Sequence, residues 1–452
     1  MRLLRKGSAF LLAVCLFALS LLAPPGAGAK GPTIIRDAEI EDTIRAYATP
    51  LFRAAGLNPS AIEVYLIQDN SLNAFVTGGM RMFIHTGLLM RADDPLEVIG
   101  VIAHETGHIS GGHIAARIQE QQQASTSILA TYVLGLGAAL ATGRGEIAAA
   151  VLRGGQDIAL KNILSYSRGH EQAADQAAVR LLRATKQSPQ GLLDFMRVLG
   201  GQEVLLAANQ DPYLRTHPMS IDRINFLERA VAESPYAGTP ASPEFQRRHA
   251  RLRAKLIGYL WPLSQVFHAY PKDDRGLHAR YAHAIAYYRQ SDLNRALALI
   301  EELLEEYPED PFFHELKGQM LFEHGKLAEG RTNLETAVRL RPEAPQLRVL
   351  LARILIEMNS PELDREALQH LQQALRYEED NAFAWRLSAI AYGRAGDQGM
   401  TALAMGESAL NRGAYIEARS HAKRALDILP AGTPSWLQAD DLFNQADQLA
   451  AK

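Results

Sequence analysis

The chain has 452 residues, of which 47% are hydrophobic and 21% are charged, and its formal net charge is −3. These proportions exclude a wholly disordered chain and a collagen-like fibre, and the small net charge gives no reason to expect nucleic acid as a partner. At roughly 100–200 residues per domain, we expect two or three domains, each with its own hydrophobic core.

The first 29 residues have the pattern of an export signal. Basic residues precede an apolar run at positions 9–23, and Ala27-Gly28-Ala29 fits a cleavage site. An uncleaved membrane anchor is the alternative, but the apolar run is short for a bilayer span. The only cysteine, Cys15, lies inside this run, so the mature chain would have neither a disulfide nor thiolate chemistry. We therefore predict a cleavable signal peptide at residues 1–29 and a periplasmic location.

Residues 33–235 mix strand-like and helical patterns. Apolar residues recur at helical spacing over residues 40–54, and residues 62–67 have the composition of a strand. A Gly-Gly turn at 78–79 leads into a second strand at 80–85. We expect this second strand either at a sheet edge, where it would pair with substrate backbone, or within the core.

A helix with a metal-binding motif is predicted from Asp94 onward. Asp94 can cap the helix and form a capping box with Glu97, and the sequence His-Glu-Thr-Gly-His follows at 104–108. Because residues i and i+4 lie on one helix face, His104 and His108 can bind one metal ion together. Glu105 is close enough to accept a proton from metal-activated water. A pair of core histidines without a metal is the alternative.

A third metal ligand has to come from elsewhere in the chain, since catalytic zinc usually has three protein ligands and a water. The position used by metzincins is Ile114, and His113 is one residue away from it. Glu171, on a second predicted helix, is the better candidate, and Asp175 one turn later can hold a ligand imidazole through a hydrogen bond. The alternative is that both acids pair with arginines on a solvated helix face. We interpret His113 as a structural residue.

An apolar stretch at residues 127–141 is shorter than the roughly 20 residues that a bilayer span needs. We expect a buried or surface-associated helix there, with a peripheral membrane contact as an open alternative.

The second half of the chain has helical patterns that repeat. Pro308 and Pro342 are 34 residues apart, which is the period of tetratricopeptide repeats. Further landmarks recur at a common offset of 88 residues: Gly325, Ala337 and Pro342 return as Gly413, Ala425 and Pro430. We predict three to four such repeats, an ordinary helical domain being the alternative.

The motifs of the first half together resemble the M48 peptidases. Over residues 35–235 the similarity lies in a set of short motifs: Asn73-Ala74-Phe75, Gly78-Gly79, Thr86-Gly87-Leu88-Leu89, His104 to His108, Ser167-Arg168, Glu171 to Asp175, Thr216-His217-Pro218 and Arg223. The resemblance implies one zinc ion per chain, bound by His104, His108 and Glu171. Glu105 would be the catalytic base, and Asp175 would hold a ligand imidazole from outside.

Two further residues of that resemblance are candidates for catalysis. His217 precedes a proline, which favours an extended conformation, and Ser220 can cap a helix that carries Arg223. We expect His217 to reach the site with Arg223 nearby. His217 would either stabilise the oxyanion or occupy the fourth zinc position and silence the enzyme, and a loop histidine that only holds a turn is the alternative.

The expected fold class is α+β and mainly α. It comprises a gluzincin-like HExxH peptidase domain with a small β-sheet at 30–245, a helical connector at 246–276 and an all-α tetratricopeptide solenoid at 277–452. With the signal peptide and the repeats, the resemblance implies a periplasmic zinc endopeptidase in the quality control and assembly of outer-membrane β-barrel proteins. Its partners would be unfolded or misassembled outer-membrane proteins and their assembly machinery. A repeat-based adaptor or chaperone with a latent zinc site is the alternative, and both activities can coexist.

Overall fold

The computed structural model describes residues 33–116, 167–200 and 212–451. Two predicted features, the signal peptide at 1–29 and the apolar stretch at 127–141, lie outside these residues. Within the described ranges, no helix combines the length and apolar character that crossing a membrane requires.

A four-stranded sheet lies in the first half, with strands in the order β1-β2-β4-β3. The strands are β1 (Ile34–Ile35), β2 (Glu63–Ile67), β3 (Ala74–Thr77) and β4 (Arg81–His85). Strand β4 pairs in parallel with β2 and antiparallel with β3. The prediction that this strand lies at a sheet edge is therefore wrong, because hydrogen-bonded neighbours occupy both of its sides, and the core alternative is confirmed.

The described residues of the first half also form eight α-helices. They are α1 (Ala38–Ala54), α2 (Thr86–Arg91), α3 (Pro95–Ser110), α4 (Arg168–Ala184), α5 (Gln190–Gly200), α6 (Pro212–Thr216), α7 (Ile221–Ala232) and α8 (Pro243–Leu260). Helix α3 is central, since it packs against α1, α4, α5 and β3 and is buried along most of its length.

Local sequence explains why α3 starts where it does and how closely α4 approaches it. The Asp94 side chain accepts a hydrogen bond from the Leu96 amide, and Glu97 accepts one from the Asp94 amide, so the predicted capping box is confirmed. Gly107 lies where the two helices cross. A Cβ atom at this position would be 2.8 Å from the carbonyl oxygen of Ala174 on α4, so only glycine permits this spacing.

The second half consists of helices α9 to α19, and the last ten of them follow one another as five helix pairs in the described residues. Their bounds are Leu263–Ala269, Leu277–Arg289, Leu293–Glu306, Pro311–Glu323, Leu327–Leu340, Pro345–Glu357, Pro361–Leu375, Ala382–Arg394, Gln398–Asn411, Tyr415–Ile428 and Pro434–Ala450. The prediction of three to four pairs was too low, because the irregular sequence after residue 396 continues the same arrangement.

Helix α8 joins the two halves and is part of their common core. Its apolar residues Leu252 and Leu256 belong to one hydrophobic cluster with the first-half helices and with α10 to α12. Lys255, which is only 2% exposed, places its Nζ 2.8 Å from Asp37 at the start of α1, 3.3 Å from Glu39 on α1 and 3.8 Å from Glu315 on α12. We call these four ionisable residues the interdomain charge cluster. The domain boundaries at 245 and 276 stay predictions.

Candidate metal centre

Four buried side chains converge between α3, α4 and the residue that follows α6. His104, His108, Glu171 and His217 each offer one ligand atom, and these atoms lie within 4.8 Å of one another. All four residues have no exposed surface. The Nε2 atoms of His104 and His108 are 3.1 Å apart, and Glu171 Oε1 lies 3.3 Å from His108 Nε2 and 3.1 Å from His217 Nδ1.

Helix geometry accounts for this convergence. His104 and His108 are one helical turn apart and present the same nitrogen, Nε2, to Glu171. Glu171 lies in the first turn of α4, whose cap is Ser167. The alternative of a solvated face for Glu171 and Asp175 is wrong, because neither residue has any exposed surface.

Glu105 lies beside this group rather than within it. Its side chain is fully buried, and neither carboxylate oxygen has a hydrogen-bond partner among the described residues. Its Oε1 is 3.5 Å from Nε2 of His217. Burial raises the pKa of Glu105, against the opposing charges of His217 and His104. Such a carboxylate has the position and the raised proton affinity of a general base.

Asp175 and Arg223 form the layer behind the ligand atoms. Asp175 Oδ1 is 2.9 Å from Nδ1 of His104, on the side of the ring that faces away from Glu171. The Arg223 guanidinium, on α7, binds Asp175 through Nε at 2.7 Å and Nη2 at 2.9 Å, and its Nη1 lies 2.7 Å from Glu171 Oε2. Since Arg223 is 2% exposed, its charge is held between these two carboxylates.

The surrounding side chains favour a protonated His104 and an ionised Glu171, and zinc binding through Nε2 of His104 would displace the His104 proton. Burial opposes charge on His104, but hydrogen bonds and charges from Asp175 and Glu171 outweigh it and raise the pKa of His104 to about 9. Burial would also raise the pKa of Glu171, yet the surrounding histidines hold it well below its usual range. The carboxylate is therefore available as an anionic ligand.

The donor set fits a zinc ion. Three imidazole nitrogens and one carboxylate oxygen are ligands that zinc accepts in a four-coordinate site. The far nitrogens of the two α3 rings also have partners, as metal-bound imidazoles usually do: His104 Nδ1 faces Asp175, and His108 Nδ1 is 3.1 Å from Nδ1 of His113. Glu171 Oε2 has an ion pair but no hydrogen bond of regular geometry in the described residues.

The sequence analysis assigned no role to one residue at the site, Tyr213, and only a structural role to a second. Tyr213 is fully buried, and its ring stacks on His217 at 4.3 Å between centroids and 20° between planes. The signal for it is a spacing of four residues on the short helix before His217. The second is His113, which the sequence analysis interpreted as structural. The sequence feature that could have indicated its position is the glycine pair that precedes it.

Comparison with known proteins agrees with this site. Residues 35–231 match Peptidase family M48, and residues 281–345 match the tetratricopeptide repeat. A protein of Yersinia pestis named beta-barrel assembly-enhancing protease is 24% identical over 73% of this chain and 68% of its own length. The protein of the same name from Escherichia coli K12 is 22% identical over 92% of this chain and 85% of its own length. The mitochondrial metalloendopeptidase OMA1 of Schizosaccharomyces pombe is 26% identical over 41% of this chain and 51% of its own length.

The fold, the buried histidine and glutamate group and these matches define a zinc metallopeptidase of the HExxH type. Within that class, the chain carries a Peptidase M48 domain at residues 35–231, followed by a tetratricopeptide repeat match at residues 281–345.

Proposed function

We propose that this protein is a periplasmic zinc endopeptidase that acts in the quality control and assembly of outer-membrane β-barrel proteins. The observation that carries the proposal is Glu105, a buried carboxylate with no hydrogen bond among the described residues, which lies beside a converging group of zinc-type ligands. The substrate class is supported by the names of the relatives, one of which matches 92% of this chain, repeats included. The periplasmic location is supported by the export-type sequence at positions 1–29.

In the proposed mechanism His104, His108 and Glu171 hold the zinc ion. Zinc, when bound, supplies Lewis-acid polarisation of the substrate carbonyl and makes water more acidic. Glu105 accepts a proton from the attacking water and then delivers it to the leaving amine. The absence of hydrogen-bond donors on Glu105 in the described residues leaves both of its oxygens available for that proton.

His217 has two proposed roles that differ in the state of the enzyme. Its Nδ1 faces Glu171 at 3.1 Å while its Nε2 faces Glu105 at 3.5 Å, so the ring lies between the ligand group and the base. As a fourth ligand it would complete a four-coordinate site, which is the arrangement of metal sites without an open position. We propose this as a resting, silenced state. After the ring moves, His217 would stabilise the developing oxyanion instead.

Arg223 and Asp175 act as positioning residues in this proposal. Arg223 contacts Asp175 and Glu171 and donates to the Pro218 carbonyl at 2.9 Å, which ties the segment after His217 to the ligands. Asp175 orients the His104 ring.

The second candidate function is an adaptor or chaperone with a latent zinc site. The observation that favours it is the group of four protein ligands, since closed sites are usual for structural zinc. In this version the helical repeats bind unfolded outer-membrane proteins or their assembly machinery, because stacked repeats form extended concave surfaces. Zinc would then stabilise the fold without catalysis.

The test compares wild-type protein with Glu105→Gln and His217→Ala for zinc content and for cleavage of an unfolded outer-membrane β-barrel protein. We expect Glu105→Gln to retain one zinc ion and to lose turnover, since only the proton acceptor is removed. We expect His217→Ala to change turnover, upward if the fourth ligand silences the site and downward if the oxyanion role dominates. Glu228→Gln, an exposed residue of α7, is the matched control.

Full turnover in Glu105→Gln would refute the catalytic proposal, and unchanged turnover in His217→Ala would remove that residue from the site. If the Glu105→Gln variant restored growth to a strain that lacks this protein, and a chelator did not change that result, the adaptor function would be favoured. Equal cleavage of an unfolded water-soluble protein would refute the proposed substrate class.

A further inference from the structure

His113 contacts the metal-ligand group from outside. Its Nδ1 lies 3.1 Å from Nδ1 of His108, and the residue is 8% exposed. On its other side the ring stacks on His170, next to Glu171 on α4, with 4.7 Å between centroids and 22° between planes. One imidazole thus touches a ligand of α3 and the first turn of α4.

The turn after α3 is built to admit this ring. Gly111 and Gly112 follow the helix, and Gly112 has a positive φ of 65° that returns the chain toward α3. A Cβ atom on Gly111 would be 2.5 Å from Nε2 of His113. Any side chain at position 111 would therefore displace the His113 ring from His108.

The chemistry of an imidazole ligand fixes the direction of the hydrogen bond between the two rings. Nε2 of His108 is the nitrogen that faces Glu171 and His104, and with zinc bound through it the proton of the neutral ring would reside on Nδ1. That proton points at Nδ1 of His113, which must then be the acceptor. His104 has a carboxylate, Asp175, at the corresponding place, whereas His108 has an imidazole.

We propose that His113 is a positioning residue of the metal centre: it accepts a hydrogen bond from His108 Nδ1 and thereby fixes the tautomer and ring plane with which His108 offers Nε2 to the metal. This inference depends on the proposed role of His108 as a zinc ligand. Residues that orient a ligand in this way typically contribute about 10–100-fold to metal affinity.

The test measures the zinc dissociation constant by competition with a chromophoric chelator, and the thermal unfolding midpoint of the metal-free protein. His113→Phe retains a ring that can stack on His170 but has no acceptor, and we expect zinc affinity to fall by about 10–100-fold. His113→Asn places an amide oxygen near the position of Nδ1 and should recover most of that affinity. The midpoint of metal-free His113→Phe should stay close to that of the wild type.

Gly111→Ala tests the same idea without removing His113. We expect it to weaken zinc binding in the wild-type background and to have no further effect in His113→Ala, because the ring that it displaces is then gone. His249→Phe is the matched control: His249 is a buried histidine whose Nε2 bonds the Ala92 carbonyl at 2.8 Å, away from the ligands. Its zinc affinity should equal that of the wild type.

The outcomes separate this inference from the proposed function. If wild-type protein binds one zinc ion and His113→Phe binds it equally tightly, His113 has no positioning role and the proposed function stands. If His113→Phe and His249→Phe lower zinc affinity equally, the effect is a general loss of stability and the inference is overturned. If the wild type itself binds no stoichiometric zinc, the proposed function fails, and the inference with it.

Discussion

Replacing Arg223 with Met removes the guanidinium that lies between two buried carboxylates of the site. Asp175 would lose contacts of 2.7 and 2.9 Å, and Glu171 would lose one of 2.7 Å. Breaking a buried ion pair by removing one partner typically costs about 3–5 kcal/mol, because the remaining charge is left without compensation in a poorly solvated place. His104, 2.9 Å from Asp175, offsets part of this loss. We therefore expect the stability of the metal-free protein to fall by about 3 kcal/mol, the lower end of that range.

Hydrogen exchange of the α4 amides in the presence of a chelator measures this loss locally, which matters because a chain of this size need not unfold in two states. The matched control is Arg197→Met. Arg197 pairs with Glu228 at 2.8 Å while about half exposed, and such pairs contribute about 0–1 kcal/mol. With zinc present, the cation would balance the negative charge of Glu171. The decrease in the opening free energy of α4 in Arg223→Met should therefore be smaller than in metal-free protein.

Equal opening free energies of α4 in Arg223→Met and Arg197→Met would refute this reasoning. So would a larger loss with zinc than without it, since that would mean that Arg223 does not compensate the ligand carboxylate.

Two other substitutions test the packing of α3 and the interdomain charge cluster. Gly107→Ala should cost about 1–3 kcal/mol and weaken zinc binding, because its Cβ would push the backbone of Ala174 and move Glu171 with it; unchanged α4 exchange and zinc affinity would contradict this. Burial raises the pKa of Glu315 from 4.5 to about 8 despite the attraction of Lys255. The folded chain then holds a proton that the unfolded chain has released, so stability falls as pH rises from about 5 to 8. In Glu315→Gln the thermal unfolding midpoint should fall less as the pH rises over this range. An unaltered dependence of the midpoint on pH would contradict the raised pKa of Glu315.

Short-range rules predicted the parts of the site that lie on one helix. The capping box at Asp94 and the pairing of His104 with His108 depend on fixed helical spacings, which the sequence displays directly. The spacing of Glu171 and Asp175 followed from the same periodicity once a second helix was assumed, whereas the partner of Asp175, His104, lies on a different helix, and that particular imidazole was not predicted.

Long-range pairings could not be read in the same way. Strand β4 is flanked on both sides because β3, only four residues long, pairs with the edge of β4 that β2 leaves open, and a strand this short has almost no periodic signal. Arg223 finds Asp175 across 48 residues of sequence, which spacing within one helix cannot indicate. The contact of His113 with His108 depends on the turn that folds the chain back after α3. The sequence does not show that turn, so His113 was assigned a structural role.

Helix α8 shows a further limit of pattern reading. The sequence predicted only a helical connector at 246–276, yet Arg251 binds Glu39 at 2.7 Å and also pairs with Asp310. The acids that neutralise it come from α1 and from the start of α12, far apart in sequence.

The interdomain charge cluster around Lys255 makes substitutions in the two halves of the chain depend on one another. A chimera that joined the first half of this chain to the repeats of a relative would leave the buried ammonium facing whichever side chain replaced Glu315. Substitutions on this face of α8 would therefore need matching ones on α1 and α12 for the Lys255 ammonium to keep its acidic neighbours.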